Sequence, residues 1–150
     1  MGPYKNLQVW QKAMTLAKEV YTATASYPKS EVYGLVSQMR RCVVSIASNI
    51  AEGYGRGTNN DLVHFLYVSL GSSNELETQL LLSQSFSYIE EGEAQNLLQQ
   101  NEQVNKMLSS LIYKRTQPAF QSGNITLKPE TTRPEPLKKA EPQNPKTTKP

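Results

Sequence analysis

Few side chains in this sequence could perform chemistry, and they are badly spaced for it. His64 is the only histidine and Cys42 the only cysteine among 150 residues, so a nucleophile and its base would have to come from this pair. Cys42 falls on the apolar side of one predicted helix and His64 belongs to the next, which leaves that constellation unsupported and makes Cys42 a small core residue. One histidine cannot supply the two Glu-x-x-His pairs of a di-iron bundle, and no Cys/His cluster exists for zinc. Glu75 and Glu77, two positions apart, cannot share a helical face and read as a solvated flank. Glu52, near a helix end, is placed to bond a neighbouring helix or the glycine turn that follows. Gly53, Gly55 and Gly57 match neither a Walker loop nor a dinucleotide fingerprint, and they read as a tight turn between helices. The expectation is a protein that is not an enzyme and holds neither metal nor cofactor.

Charge offers a different chemistry. Lys5, Lys12, Lys18, Arg40, Arg41 and Arg56 are able to neutralise nucleic-acid phosphates if they share one surface. Solvated helix faces account for them equally, because no aromatic residues interleave with them along the sequence in a base-stacking pattern. The net charge is +3, and its distribution is more telling. Residues 1–56 carry seven Lys or Arg against three Glu, net +4, whereas residues 57–113 carry one Lys against seven acids, net −6. Lys114 and Arg115 bring residues 1–116 to zero, so the whole surplus lies beyond them. Such polarity steers an anionic partner or docks one subunit on another.

These residues must be positioned by helices. Apolar spacing predicts helix 1 over residues 5–25, with Leu7, Trp10, Met14, Ala17, Val20 or Tyr21, and Thr24 on one side. Pro28 ends it, and Ser30 with Glu31 supplies a cap and first turn for helix 2, over residues 31–56. Thr58 with Asp61 resembles a capping box opening helix 3, which runs to about residue 84. Gly71, Ser72 and Ser73 lower helix propensity mid-way, Gly71 by roughly 1 kcal/mol, so either another helix crosses closely there or the helix kinks. Ser87 with Glu90 is a second capping-box candidate for helix 4, whose seam holds Leu97 or Leu98, Asn101, Val104, Leu108 and Leu111. The fold class is all-α, an antiparallel up-down-up-down four-helix bundle over residues 1–116.

Helix 2 is the most informative element. Val32, Val36, Met39, Val43, Ile46 and Ile50 form its primary stripe in alternating steps of four and three, the period of a seam packed at a shallow angle. Beside it Arg40, Val44, Ala47 and Ala51 make a flanking face that is mostly small and apolar. That surplus fits either the most central helix of a bundle or a subunit interface, and the expectation is an interface in a homo-oligomer.

Residues 117–150 hold seven of the nine prolines, many Thr, Lys and Glu, and one aromatic, Phe120. This composition predicts a disordered C-terminal tail spanning roughly 30 Å as a flexible coil. No run approaches the roughly 18 apolar residues of a membrane span, and the N-terminus lacks a secretory pattern, so the location expected is cytoplasmic with no membrane partner.

Tyr4-Lys5-Asn6-Leu7 with Val9-Trp10-Gln11-Lys12-Ala13, Tyr27-Pro28, Glu31-x-Tyr33-Gly34-Leu35 with Gln38-x-Arg40-Arg41, Ser45-Ile46-x-x-Asn49-Ile50-Ala51-Glu52-Gly53 and Gly71-Ser72-x-x-Glu75-Leu76-Glu77 occur in order. Together they resemble the bacterial four-helix-bundle family of intervening-sequence proteins, over roughly residues 4–113. The resemblance implies an up-down-up-down bundle assembling as a homopentamer. A related branch comprises the accessory variability proteins of diversity-generating retroelements, which implies RNA or DNA and a reverse transcriptase as partners. The function expected is a non-catalytic, homo-oligomeric nucleic-acid-binding accessory protein. The alternative is a protein-binding adaptor using acidic helices 3 and 4.

Overall fold

The computed structural model describes residues 3–118. A 3-10 turn at Pro3–Asn6 leads into α1 (Gln8–Thr24), and a second at Lys29–Glu31 precedes α2 (Leu35–Gly55); α3 (Asn59–Ser85) and α4 (Glu91–Thr116) follow. No strand occurs among the described residues. Each helix packs on its neighbour in sequence and α4 closes on α1. Cross-helix bonds give the directions. Ser69 Oγ donates to the Ile46 carbonyl while Ser45 meets Ser72 at 2.9 Å, so α2 and α3 are antiparallel. Asn59 reaches the Arg115 carbonyl and Asn101 that of Ser73, which runs α4 against α3. Lys12 to Gln103 and Gln100 to Glu19 do the same for α1 and α4. The bundle is therefore up-down-up-down. The expected tail lies, from residue 119 on, outside the described residues.

The α2 seam keeps its anticipated spacing; of the run Leu62, Phe65, Leu66, Leu76, Leu80 and Leu81 that periodicity predicts for helix 3, Leu81 is 48% exposed, and on α4 Ile112 is buried in place of Leu111. On α2, Val36, Met39, Val43, Ile46 and Ile50 are 0–6% exposed. The inner face of α3 is Leu62, Leu66, Ser69, Ser73, Leu76, Leu80 and Ser83, again in steps of four and three, and α4 contributes Leu97, Asn101, Val104 and Leu108. Each fully buried Leu or Ile adds about 1.5–3 kcal/mol. Asn101 is 2% exposed, and it accepts from Ser73 Oγ at 3.0 Å while donating to the Ser73 carbonyl at 2.9 Å. A buried amide with both ends satisfied sets the axial register of α3 against α4.

Four local expectations need correction. The buried stripe of α1 is Val9, Ala13, Leu16, Val20, Ala23 and Thr24, so that Val20 and Thr24 lie inside as expected while Met14 and Tyr21 are exposed. Val32 is not on the α2 seam: the helix begins at Leu35, after a turn, and Val32 is 48% exposed. Glu31, rather than Ser30, caps α2, its Oε2 accepting from the Leu35 amide at 2.9 Å. Ser87 forms no capping box, since it takes a left-handed φ of 59° in the α3–α4 connection and Glu90 is the N-cap without a side-chain bond. Thr58 does cap α3, its Oγ1 accepting from the Asp61 amide at 3.1 Å, while the Asp61 carboxylate accepts from the Thr58 hydroxyl and not, as a capping box would have it, from the Thr58 amide. α3 runs unbroken through Gly71, and the close crossing expected in this segment falls at Ser72, against Ser45 of α2, and at Ser73, against Asn101 of α4, while Gly71 itself faces open space.

Candidate nucleic-acid interface

The predicted basic residues fall into three places. Arg40, half-buried on α2, is held against α1: its Nε donates to Thr24 Oγ1 at 3.0 Å, one terminal nitrogen to the Tyr21 carbonyl at 3.3 Å, and its guanidinium lies 4.6 Å over the Tyr21 ring. Arg41, one residue on, is exposed and touches only Ser37 weakly, at 3.4 Å. Arg56 lies at the far end of α2, about 24 Å from Arg40 at 1.5 Å per residue, paired to Glu52 at 2.8 Å and stacked 5.0 Å over Phe65. Arg115 joins that end, over the Tyr54 ring at 5.8 Å. The α1 lysines diverge. Lys12 turns to Gln103 of α4, whereas Lys18, six positions on, is exposed and stands about 120° round the helix. Lys5 lies in the opening 3-10 turn.

Arg40 and Arg41 share a cleft of about 540 Å³ with residues not among the predicted nucleic-acid contacts: Tyr21 of α1 and Ala25 just after it, then Lys29, Val32 and Tyr33 of the connection, with Val44 at its inner end. Tyr33 is 97% exposed, Tyr21 43% and Val32 48%. Aromatic and basic side chains therefore do interleave, in space rather than in sequence. Pro28 and Gly34 produce this arrangement. The proline ends the run of α1 and the glycine leaves room for the Glu31 carboxylate, whose Oε2 a Cβ at position 34 would meet at 2.6 Å. The connection bows outward and presents Tyr33. Its one signal in the sequence is a tyrosine immediately before a glycine just beyond a proline.

The flanking face of α2 is divided. Val44 is 44% exposed, Ala51 half-buried, and Ala47 buried at 6% within the bundle. Cys42 is 5% exposed, and burial with the Glu75 carboxylate beside it pushes its thiol up to about 12. His64 is exposed on α3, edge-on to Phe65. Among the described residues no group of His, Cys, Asp and Glu is assembled to hold a metal, and no helix is long and apolar enough to cross a membrane.

A family model described as 23S rRNA-intervening sequence protein matches residues 5–110. A crystal structure of a protein with unknown function from the S23 ribosomal protein family of Bacteroides thetaiotaomicron VPI-5482 superposes with a TM-score of 0.64 and 24% identity, over 69% of this chain and 97% of that one. At that identity the likeness bears on the fold. No curated protein matches the sequence.

Proposed function

The chain belongs to the 23S rRNA-intervening sequence protein family, and from that premise we propose that it is a non-catalytic, homo-oligomeric accessory protein that binds nucleic acid. The ligand proposed is single-stranded RNA, within a cytoplasmic retroelement ribonucleoprotein that also contains a reverse transcriptase, and the assembly proposed is a pentamer. One observation carries the RNA assignment: Tyr33, almost fully exposed, stands in the same cleft as Tyr21, Arg40, Arg41 and Lys29. Exposed tyrosines give unstacked bases a face to stack on, and the flanking cations meet phosphates without demanding a sequence. Residues 117–150 add net +3 per subunit, so assembly multiplies weak contacts.

Fluorescence anisotropy with a single-stranded RNA of about 20 nucleotides, across a salt series, tests this. The full chain is expected to bind at low salt. Tyr33→Ala, which removes one stacking surface, weakens binding about 5- to 100-fold, and Arg41→Ala lowers the salt slope by about one. No binding at low salt overturns the assignment. The excess of acids on α3 and α4 supports the second reading, a protein adaptor, and a nuclease-resistant partner in a pull-down would favour it.

A further inference from the structure

The solvent side of α3 carries a second seam. Tyr67, Gly71, Asn74, Thr78, Leu81 and Ser85 recur in steps of four and three, all exposed, with Val68 and Leu82 beside them. They repeat the period of the buried seam on the opposite side of the same helix. None of them is charged. Tyr67 is 55% exposed, and Leu81 and Leu82 are 48% and 42%. A helix with one wet face ordinarily puts its charges there, whereas between Asp61 and Glu90 this one has only Glu75 and Glu77, which flank the stripe. Gly71 sharpens the point. A Cβ built on it meets nothing within 4 Å, so the bundle itself gives no reason for a glycine that weakens its own helix. Close approach of a helix from outside does.

We infer that this stripe is one half of a head-to-tail contact between copies of the chain, the other half being the α1–α2 valley of the next copy. The inference rests on the self-association proposed above and names its surfaces. The valley extends inward from the tyrosine cleft and is floored by small and apolar residues: Met14 and Ala17 of α1, Val44 and Ala51 of α2. Charge selects the pairing. Stripe against stripe would set the Glu75 and Glu77 of one copy beside those of the other, in a half of the bundle that is already net −6. Stripe against valley brings those glutamates into the half that is net +4, where Lys18 stands exposed beyond the valley's α1 edge. Two different surfaces meeting in this way exclude a two-fold dimer and build a ring when the rotation closes. Lys29 and Tyr33 lie past the end of the valley, and the seam leaves them to solvent.

The test uses the full chain and light scattering. Thr78→Arg blocks the stripe and Val44→Arg blocks the valley, both at exposed positions that accept a good helix former. Each variant alone is expected at the mass of one chain. Mixed in equal amounts they retain one intact stripe and one intact valley between them, and should give a 1:1 pair and nothing larger. Gly71→Leu should also abolish assembly while melting higher than the monomeric Thr78→Arg variant, a combination that a folding defect cannot produce. A wild-type oligomer undisturbed by these changes, or variants that stay monomeric when mixed, overturns the assignment of surfaces while self-association stands. A monomeric wild type overturns both.

Discussion

At the residue scale, two positions on α2 show how the bundle constrains single atoms. Gly53 faces α3 so closely that a Cβ would lie 3.0 Å from both Leu62 Cδ1 and Phe65 Cβ, and 3.3 Å from the Leu62 carbonyl oxygen. Gly53→Ala is therefore expected to lose about 1–3 kcal/mol, read as a lower urea midpoint with an unchanged slope. This is the opposite of the gain expected at Gly71, where space is open. Cys42 is inert for a definable reason. Its folded-state pKa, raised from 9.0 to about 12, keeps the thiol protonated, so a disulfide reagent at about pH 8 should label the unfolded chain and spare the folded one. Because the folded value lies above the unfolded one, the thiol's contribution to stability is fully present below pH 9 and is lost as pH climbs toward about 12. Burial of Cys42 was legible from its place between Met39 and Ile46 on an apolar arc. The exposure of Tyr33 was not, because helical periodicity carried through residues 32–34 and only the joint effect of Pro28, Gly34 and the Glu31 carboxylate shows that the helix has not yet begun.

At the element scale, the helix ends separate what local chemistry determines from what packing determines. Thr58 caps α3 within one turn, its hydroxyl accepting from the Asp61 amide and donating to the Asp61 carboxylate, and Thr58→Ala should cost about 1 kcal/mol in chemical denaturation. The start of α2 depends on a longer-range contact. Glu31 Oε2 accepts from the Leu35 amide, and its Oε1 accepts from the Tyr88 hydroxyl at 3.1 Å, so one carboxylate joins the first turn of α2 to the α3–α4 connection. Glu31→Gln leaves one neutral acceptor oxygen for the two donors, so one bond is lost and the other weakened. The expected signature is faster hydrogen exchange at the first amides of α2 and around Tyr88 together; protection lost at one place only would show that the two are not coupled. A capping box can be read from residues three apart, as it was for Thr58. A carboxylate serving Tyr88, 57 positions away, cannot. The same distinction explains α1: its sequence offers two apolar stripes, one with Trp10, Met14 and Tyr21 and one with Val9, Ala13, Leu16 and Val20. The convergence of α2 and α4 buries the narrower.

At the scale of the whole molecule, the charge division read from composition survives folding intact, because α1 with α2 and α3 with α4 occupy adjacent sides of a square. Four helices, their order and their approximate limits were all legible, since each seam holds its period for several turns. The outward stripe of α3 was not, because the run from Tyr67 to Ser85 becomes conspicuous only once the other side of the helix is seen to be filled. If opposite charges orient neighbouring copies, added sodium chloride should raise the subunit dissociation constant several-fold, and sedimentation showing no salt dependence would remove electrostatics from the docking. The square also has a temporal side. The first and last helices meet through Lys12 with Gln103 and Glu19 with Gln100, contacts bridging more than eighty residues of chain. On a translating ribosome α1 emerges long before α4, so the middle hairpin can form while one flank of the square stays open, its inner leucine and valines unshielded until synthesis is nearly finished. The interval between those two events is when a nascent chain is most vulnerable to sticking to its neighbours on the same messenger.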